Sequence, residues 1–261
     1  PASRQRSLDG RDGIALFLLI TLFAVAAVAL GQSAAWDLRN YHIYVAWAWL
    51  GDRQGLDIAP GQLQTYFNPL PYVPIYWSTT WLPPAATNFL LGLVQGASAI
   101  PLYLVARQLL AAVSDESRRW LALACTFAGM TAATAVSELG TTYLDSALAI
   151  FPLSALACLV CASPRRERAA AILAGLLAGA GAGVKLTALP WALGVLVVAF
   201  LLPPGHCARM QRLARFAIGG ALGFALAAGP SLWSNYASYG NPMYPLYADW
   251  FGGEVAPPFA L

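Results

Sequence analysis

The sequence has 261 residues, of which 59% are hydrophobic and only 10% are charged. A soluble domain has roughly 45–50% apolar and about 25% charged residues, so this composition excludes a water-soluble globule and also a disordered chain. The net charge of +3 is too small and too dispersed for a nucleic-acid interface. We therefore expect an all-α integral membrane protein that binds no nucleic acid.

Seven segments are apolar enough to be predicted as transmembrane helices, because a bilayer crossing needs about 17–25 mostly apolar residues. Residues 1–12 are expected to form a cytoplasmic N-terminus, residues 13–234 the transmembrane module, and residues 235–261 an external loop after the last span. The sixth span is the weakest, since it is short and contains Pro190. The predicted spans are Gly13–Leu30, Pro84–Leu110, Trp120–Val136, Tyr143–Cys161, Ala169–Val184, Thr187–Leu202 and Phe216–Trp233.

The basic residues orient these spans. Twelve of the 15 Lys and Arg residues lie on one side of the arrangement, in the N-terminal segment and in the loops after spans two, four and six. Only Arg39, Arg53 and Lys185 lie on the other side. The positive-inside rule therefore places the N-terminus in the cytoplasm and the C-terminal end outside.

A long external segment, residues 31–83, joins the first two spans and is rich in Trp and Tyr, whose rings favour the headgroup layer. We expect helices along the outer leaflet, of which Asn40–Leu50 is the clearest. A crossing over residues 68–82 would break the arginine pattern, so that part is expected to lie in or dip into the outer interface. An aromatic belt that only anchors the protein is the alternative. The prolines expected to interrupt these helices are Pro60, Pro69, Pro71 and Pro74.

Asp37 follows the first span, at the expected boundary between membrane and water. On an α-helix it shares a face with Asn40 and Tyr41, whereas His42 lies about 140° round the helix. A site shared by Asp37 and His42 therefore requires a bend between them. Capping of the following helix is the other role open to Asp37.

Two charged residues are predicted within or at the end of spans: Asp145 about one turn inside span four, and Lys185 at the end of span five. Because these two spans are antiparallel, both residues are expected near the outer boundary. They form either a structural ion pair or a cation held ready for a phosphate, with the acid orienting it. Glu138, seven residues before Asp145, is expected on the same helical face if the helix begins early enough to include it.

Two further patterns carry predictions. The small residues of span five, including Gly175, Gly179 and Gly183, predict close packing against another helix. After span seven, Gly240-Asn241-Pro242 predicts a turn among aromatic residues, a composition that suits sugar recognition and interfacial anchoring alike.

Taken in order, five motifs resemble the GT-C superfamily of membrane glycosyltransferases, which use polyprenyl-phosphate-linked sugars. Within it, the chain is most similar to hypothetical membrane glycosyltransferases of bacteria. The resemblance covers roughly residues 13 to 247 and implies a seven-helix module with interfacial helices in its first external loop. The motifs are Trp36-Asp37 with Asn40-Tyr41-His42, Gln64–Leu70, Ser137–Asp145, Lys185–Pro190 and Tyr239–Pro245.

The resemblance also implies roles for individual residues. Asp37 matches the catalytic general base that deprotonates the acceptor. Lys185 and Arg39 are the cations available for the leaving lipid phosphate, with Arg53 as a weaker third, and His42 contacts phosphate or acceptor. Glu138 and Asp145 shape the site or help to hold a divalent ion. The other residues expected to bind substrate are Tyr41, Gln64, Asn68, Tyr143, Asn241 and Tyr244.

The activity implied is hexosyl or pentosyl transfer on the outer face of a bacterial inner membrane, with membrane lipids and a polyprenyl-phosphate sugar as partners and an unknown acceptor. Family enzymes continue with further helices, whereas this sequence stops at Leu261. We therefore expect either that the remainder is missing or that this is a shortened relative, a non-catalytic structural subunit among membrane protein partners. A small-solute transporter is less favoured, because no repeat relates the two halves.

Overall fold

The computed structural model of this chain describes residues 9–53, 56–57, 61–203 and 209–252. All regular secondary structure in these ranges is helical, which confirms the predicted all-α class. Pro60, most of the predicted N-terminal segment 1–12 and the end of the predicted loop 235–261 lie outside the described residues.

The helices follow one another with short connections. A π-helix, Leu38–His42, precedes α2, and 3-10 turns precede α3, α10 and α11. The α-helices are α1 Gly10–Leu30, α2 Ile43–Leu50, α3 Val73–Trp81, α4 Pro84–Gly96, α5 Ala99–Leu109, α6 Asp115–Met130, α7 Ala133–Ser137, α8 Asp145–Leu148, α9 Ile150–Val160, α10 Glu167–Val184, α11 Leu189–Leu201, α12 Arg209–Tyr239 and α13 Ala248–Phe251.

Four helical segments are long and apolar enough, by length and composition, to cross a membrane: Gly10–Leu30, Pro84–Leu109, Pro164–Val184 and Arg209–Tyr239. They coincide with predicted spans one, two, five and seven and support the assignment to the membrane. Spans four and six correspond to shorter apolar helices, and span three to α6 with the short α7. The count of seven crossings therefore stays a prediction.

Two predicted positions are wrong. Asp145 is the first residue of α8, not a residue one turn inside a helix, because Leu144 before it has a left-handed backbone (φ 67°) that ends any preceding turn. Residues 138–144 form a loop between α7 and α8, so Glu138 and Asp145 share no helical face. In addition, α12 runs on to Tyr239, five residues into the stretch predicted as a loop.

The segment 31–83 is partly helical, as expected, but its prolines act differently from the prediction. Pro71 lies in the 3-10 turn Leu70–Tyr72, and Pro74 lies in the first turn of α3, where the missing N–H has no helical partner to lose. These prolines therefore begin helical turns. At nine residues, α3 is too short to cross a bilayer. We call the end of the bundle that carries this segment the loop end.

The opposite end, which we call the arginine end, is held by buried ion pairs. The fully buried Asp12 of α1 accepts hydrogen bonds from the Tyr103 hydroxyl of α5 (2.7 Å) and from Arg119 Nε of α6 (2.9 Å), and it also pairs with Arg107. A buried carboxylate is tolerated only when it is paired and hydrogen-bonded in this way. The ends of α1, α5 and α6 are thereby held together.

A second ion pair joins the other helices at the same end. Arg212 of α12 is 3% exposed and donates to Glu167 of α10 (2.7 Å) and to the carbonyl oxygens of Ala199, Leu202 and Pro203. These carbonyls belong to the end of α11 and the residues that follow it, where no intrahelical donor remains. One guanidinium therefore fixes three helices to one another.

The closest packing in the molecule is between α10 and α12, and it uses glycine on both helices. A Cβ placed on Gly179 would lie 2.0 Å from the carbonyl oxygen of Gly220, and one on Gly223 would lie 2.0 Å from that of Leu176. Only glycine allows two helix backbones to approach so closely. The predicted packing role of the span-five glycines is confirmed.

We expect Gly223→Ala to lower the free energy of unfolding by about 1–3 kcal/mol, because the added methyl group forces the two backbones apart. Gly229→Ala on the same helix is the matched control: its Cβ meets nothing within 4 Å, and alanine favours a helix interior over glycine. Denaturant unfolding in detergent micelles, followed by circular dichroism, measures both. Equal stabilities of the two variants would contradict the packing argument.

Candidate functional site

The π-helix Leu38–His42 supplies the bend that a site shared by Asp37 and His42 requires. A π-helix bonds residue i to residue i+5, so two residues five apart come to the same side instead of about 140° apart, as they would on an α-helix. The charge of Asp37 accordingly acts on the His42 ring. Asp37 makes no capping hydrogen bond to the helix, so the capping role considered for it is wrong.

His42 is buried in an aromatic cluster. Its ring stacks on Tyr72 with centroids 4.4 Å apart and meets the ring of Tyr41 edge-on at 4.2 Å. Its Nδ1 lies 2.7 Å from the Thr142 hydroxyl, which ties the π-helix to the loop 138–144. Burial lowers the pKa of His42 to about 4, so the ring is neutral at pH 7.

Asp37 is half-buried, and the Tyr143 hydroxyl of that same loop lies near its carboxylate. Burial, and then the neighbouring Asp37 carboxylate, raise the pKa of Tyr143. Burial and the negative charge of Asp37 also raise the pKa of Tyr41 to about 12. Both phenols therefore stay protonated near Asp37.

Lys185 and Asp145 form the predicted ion pair. Lys185 Nζ lies 2.8 Å and 2.7 Å from the two Asp145 carboxylate oxygens and 3.1 Å from the Tyr143 carbonyl oxygen. Thr187 also donates to Asp145, at 3.4 Å. The Lys185 and Asp145 side chains are 29% and 41% exposed, so the pair is open to a ligand.

A cavity of about 290 Å³, which we call the lysine cavity, opens beside Lys185. Its walls come from the segment 31–83, the end of α10, α12 and the loop after α12. The Tyr66 ring meets the Tyr244 ring edge-on at 4.9 Å, and Tyr244 stacks on Tyr239 at 4.0 Å. The polar and aromatic residues of its wall are Tyr41, Tyr66, Phe67, Asn68, Tyr72, Lys185, Thr187, Phe224, Ser231, Asn235 and Tyr244.

A second, mostly apolar groove of about 550 Å³ lies between α8–α9 and α11. We call it the apolar groove. Asp145 and Thr187 are its polar residues, and the rest of its wall consists of side chains such as Leu153, Leu156 and Trp191. Thr187 lines both this groove and the lysine cavity, so the two spaces meet beside the ion pair.

Arg39 lines a third space of about 600 Å³, the arginine groove. Lys185 does not line this groove, and the two cations that the resemblance assigned to one phosphate thus border different spaces. The walls of the arginine groove are Gln32, Ser33, Ala34, Leu38, Arg39, Ile43, Tyr44, Trp47 and Tyr76.

Two predicted binding residues are engaged by the backbone. The Asn68 amide donates to the carbonyl oxygens of Gly183 (2.8 Å) and Ala227 (2.9 Å), and so bridges α10 and α12. The buried Asn241 donates to the Leu246 carbonyl (2.8 Å) and accepts from the Met243 N–H, which closes the loop after α12. Both shape the lysine cavity, but their amide hydrogens point at backbone.

Other predicted residues lie outside the cavity walls. Glu138 accepts hydrogen bonds from the Ser146 N–H (2.8 Å) and hydroxyl (2.7 Å) and thereby holds the start of α8. Gln64 is half-buried on the 3-10 turn Gln62–Tyr66. Asp37, His42 and Tyr143 adjoin the lysine cavity through Tyr41 and Tyr72, which line it.

Sequence reasoning missed three residues that the structure places in the site. Tyr72 stacks on His42, Thr142 bonds it, and Thr187 joins the two cavities. The position of Thr187 two residues after Lys185 was a usable signal. Nothing in the local sequence connects Thr142 with His42, which lies 100 residues away.

The residues considered for a divalent ion do not fit one. Asp145 is paired with Lys185 and Glu138 with Ser146. Within the described ranges, no three His, Cys, Asp or Glu residues are grouped so that they could hold a metal.

The chain matches no protein-family model, no curated protein and no solved structure. Its function is therefore inferred from its residues and their geometry.

The lowered pKa of His42 predicts a pH dependence of stability. The unfolded chain takes up a proton near the ordinary pKa of 6.5, whereas the folded chain does so only near 4. The contribution is therefore complete above pH 6.5 and is lost as the pH falls towards 4, by about 3 kcal/mol in total. Comparing unfolding of the native protein and His42→Gln from pH 7 to pH 4 measures it. Parallel stability curves for the two proteins would refute the assignment.

Proposed function

We propose that this chain is a GT-C-type glycosyltransferase that moves a sugar from a polyprenyl-phosphate donor to an acceptor on the outer face of a bacterial inner membrane. The observation that carries the proposal is the junction at Lys185 and Thr187, where the apolar groove meets the lysine cavity. A polyprenyl-phosphate sugar has an apolar chain, one charged phosphate and a polar ring. The apolar groove, the cation and the lysine cavity offer partners for these parts in the same order.

The phosphate partner is Lys185. Its ammonium group is partly exposed, and Asp145 and the Tyr143 carbonyl hold it in place. It also directly precedes the helical segment Leu186–Leu201, whose first N–H groups lack intrahelical acceptors and favour an anion. A phosphate oxygen would share the ammonium hydrogens with Asp145 in a charge-assisted hydrogen bond.

The lysine cavity suits a single sugar ring. Its volume of about 290 Å³ is at the small end of ligand pockets, which span roughly 300–1,000 Å³. The faces of Tyr66 and Tyr244 offer apolar contact, and the hydroxyls and amides of the wall offer hydrogen bonds. Within the described residues, Lys185 is the one charged side chain in this wall, which fits a neutral ring beside one phosphate.

In the proposed reaction, the acceptor hydroxyl oxygen forms a bond to the anomeric carbon and its proton passes to Asp37. The bond from that carbon to the phosphate oxygen breaks, and its electron pair stays on the phosphate, where Lys185 stabilises the charge. Tyr143, whose hydroxyl lies near Asp37, is the residue we assign to positioning its carboxylate. His42 is a neutral positioning residue that holds the π-helix against the loop 138–144.

The proposal includes seven crossings with the N-terminus inside. Hydrogen bonds and ion pairs group the helix ends at two ends of the bundle, with Arg107, Arg119 and Arg212 at one of them. Lys185 and the segment 31–83 lie at the other. This separation of the arginines from the site agrees with the positive-inside orientation.

We expect Asp37→Asn to lower sugar transfer by about 10²–10⁴-fold, the usual contribution of a general base. Transfer of radiolabelled sugar from membrane lipid extracts, at matched expression, measures the effect. Asp52→Asn is the matched control, because Asp52 is an exposed acid in the same segment. Equal transfer by Asp37→Asn and the native protein would remove Asp37 from the mechanism. Failure of the native protein to transfer sugar from any lipid extract would favour the structural-subunit alternative.

Lys185→Gln is expected to weaken binding of undecaprenyl phosphate by about tenfold or more, since it removes a charge-assisted hydrogen bond. Binding is measured by titration of the detergent-solubilised protein. Arg166→Gln, which removes an exposed positive charge at the arginine end, is expected to bind like the native protein. If the two variants weaken binding equally, Lys185 is not the phosphate site.

A further inference from the structure

We propose that the arginine groove binds the acceptor and that this acceptor is an anionic lipid whose phosphate pairs with Arg39. The assignment of this lipid as the acceptor rests on the proposed function. The predicted binding of a phosphate-bearing lipid in the groove stands on its own observations.

The groove and the lysine cavity share the π-helix as a wall. Leu38 and Arg39 line the groove, whereas Tyr41 lines the lysine cavity. Asp37 directly precedes Leu38 and acts on Tyr41 through its charge. Asp37 would therefore be reached from one side by an acceptor in the arginine groove and from the other by a donor in the lysine cavity. Transfer between two separately bound lipids requires such an arrangement.

The charge in the groove calls for an anion. Arg39 is exposed, and in the part of the chain that the structure describes no carboxylate pairs with it. The other arginine of the same segment, Arg53, is by contrast paired with Asp57 at 2.7 Å. A guanidinium binds phosphate through two parallel hydrogen bonds. Gln32 and Ser33 add neutral hydrogen-bonding groups to the same wall.

The surroundings favour a lipid over a free phosphate. Much of the groove wall is apolar or aromatic, with Leu38, Ile43 and Trp47 among its residues. Trp36, Trp47 and Trp77 are 52%, 39% and 51% exposed, and exposed Trp favours the headgroup layer of a membrane. Arg39 at the depth of the headgroup layer would pair with a lipid phosphate, and the apolar wall of the groove would contact the first part of the acyl chains.

The test is a titration of the full chain in dodecyl maltoside with dioctanoyl phosphatidic acid, dioctanoyl phosphatidylcholine and inorganic phosphate. We expect Arg39→Gln to weaken phosphatidic acid binding about tenfold, and Arg39→Lys, which keeps the charge but loses the paired hydrogen bonds, to bind with an affinity between those of Arg39→Gln and the native protein. Arg166→Gln removes a charge far from the groove and is expected to have no effect. Phosphatidylcholine is expected to bind weakly and to respond little to Arg39→Gln, since its choline group neutralises the phosphate.

Three results would overturn the inference. Equal losses in Arg39→Gln and Arg166→Gln would show only general attraction to positive charge, and no loss in Arg39→Gln would show that Arg39 is not the partner. Displacement of phosphatidic acid by an equal concentration of inorganic phosphate would assign the groove to free phosphate. The proposed function is tested separately. If Arg39→Gln still transfers sugar and binds phosphatidic acid as the native protein does, only this inference is contradicted. Arg39-dependent lipid binding without any sugar transfer by the native protein contradicts the enzyme alone.

Discussion

The backbone contact between α10 and α12 is the constraint on which the lysine cavity depends. Because glycines on both helices let the two backbones approach closely, the carbonyl oxygens of Gly183 and Ala227 come near enough for one amide, that of Asn68, to bind both. Asn235 of α12 then donates to the Tyr66 carbonyl at 3.2 Å. The segment 31–83 is thereby fixed to the helix pair, and Lys185, which follows α10, stands at the mouth of the space enclosed.

Charge is distributed according to what each end of the bundle has to do. At the arginine end, Asp12 and Arg212 are almost completely buried, and each is bound by groups from other helices or from the residues that follow α11, as low dielectric surroundings require. At the loop end, the Lys185–Asp145 pair remains partly exposed. The buried ion pairs at the arginine end hold helices together but are closed to ligands. The Lys185–Asp145 pair at the loop end leaves a positioned cation within reach of a ligand.

The candidate site is assembled from parts of the chain that are far apart in sequence. The π-helix places Asp37 near His42, and the loop 138–144 supplies Thr142, which bonds His42, and Tyr143, whose hydroxyl lies near Asp37. The same loop offers the Tyr143 carbonyl to Lys185. One short loop therefore connects the proposed general base with the proposed phosphate site. Its first residue, Glu138, binds Ser146 just past its end, and Gly140 packs close to Ala27.

Composition and periodicity alone determined that the chain is helical and apolar enough for a membrane, where its longest helices lie, that the glycines of α10 pack against another helix, and that Asp145 and Lys185 meet. Each of these follows from local hydropathy, residue size or the antiparallel course of neighbouring helices. Only the tertiary structure decided the rest. The π-helix forms where His42 bonds a residue 100 positions away in the sequence. The amides of Asn68 and Asn241 bind backbone carbonyl oxygens. Arg39 and Lys185 line different spaces. Such outcomes depend on which distant groups come into contact, and the spacing of residues along one segment carries no information about them.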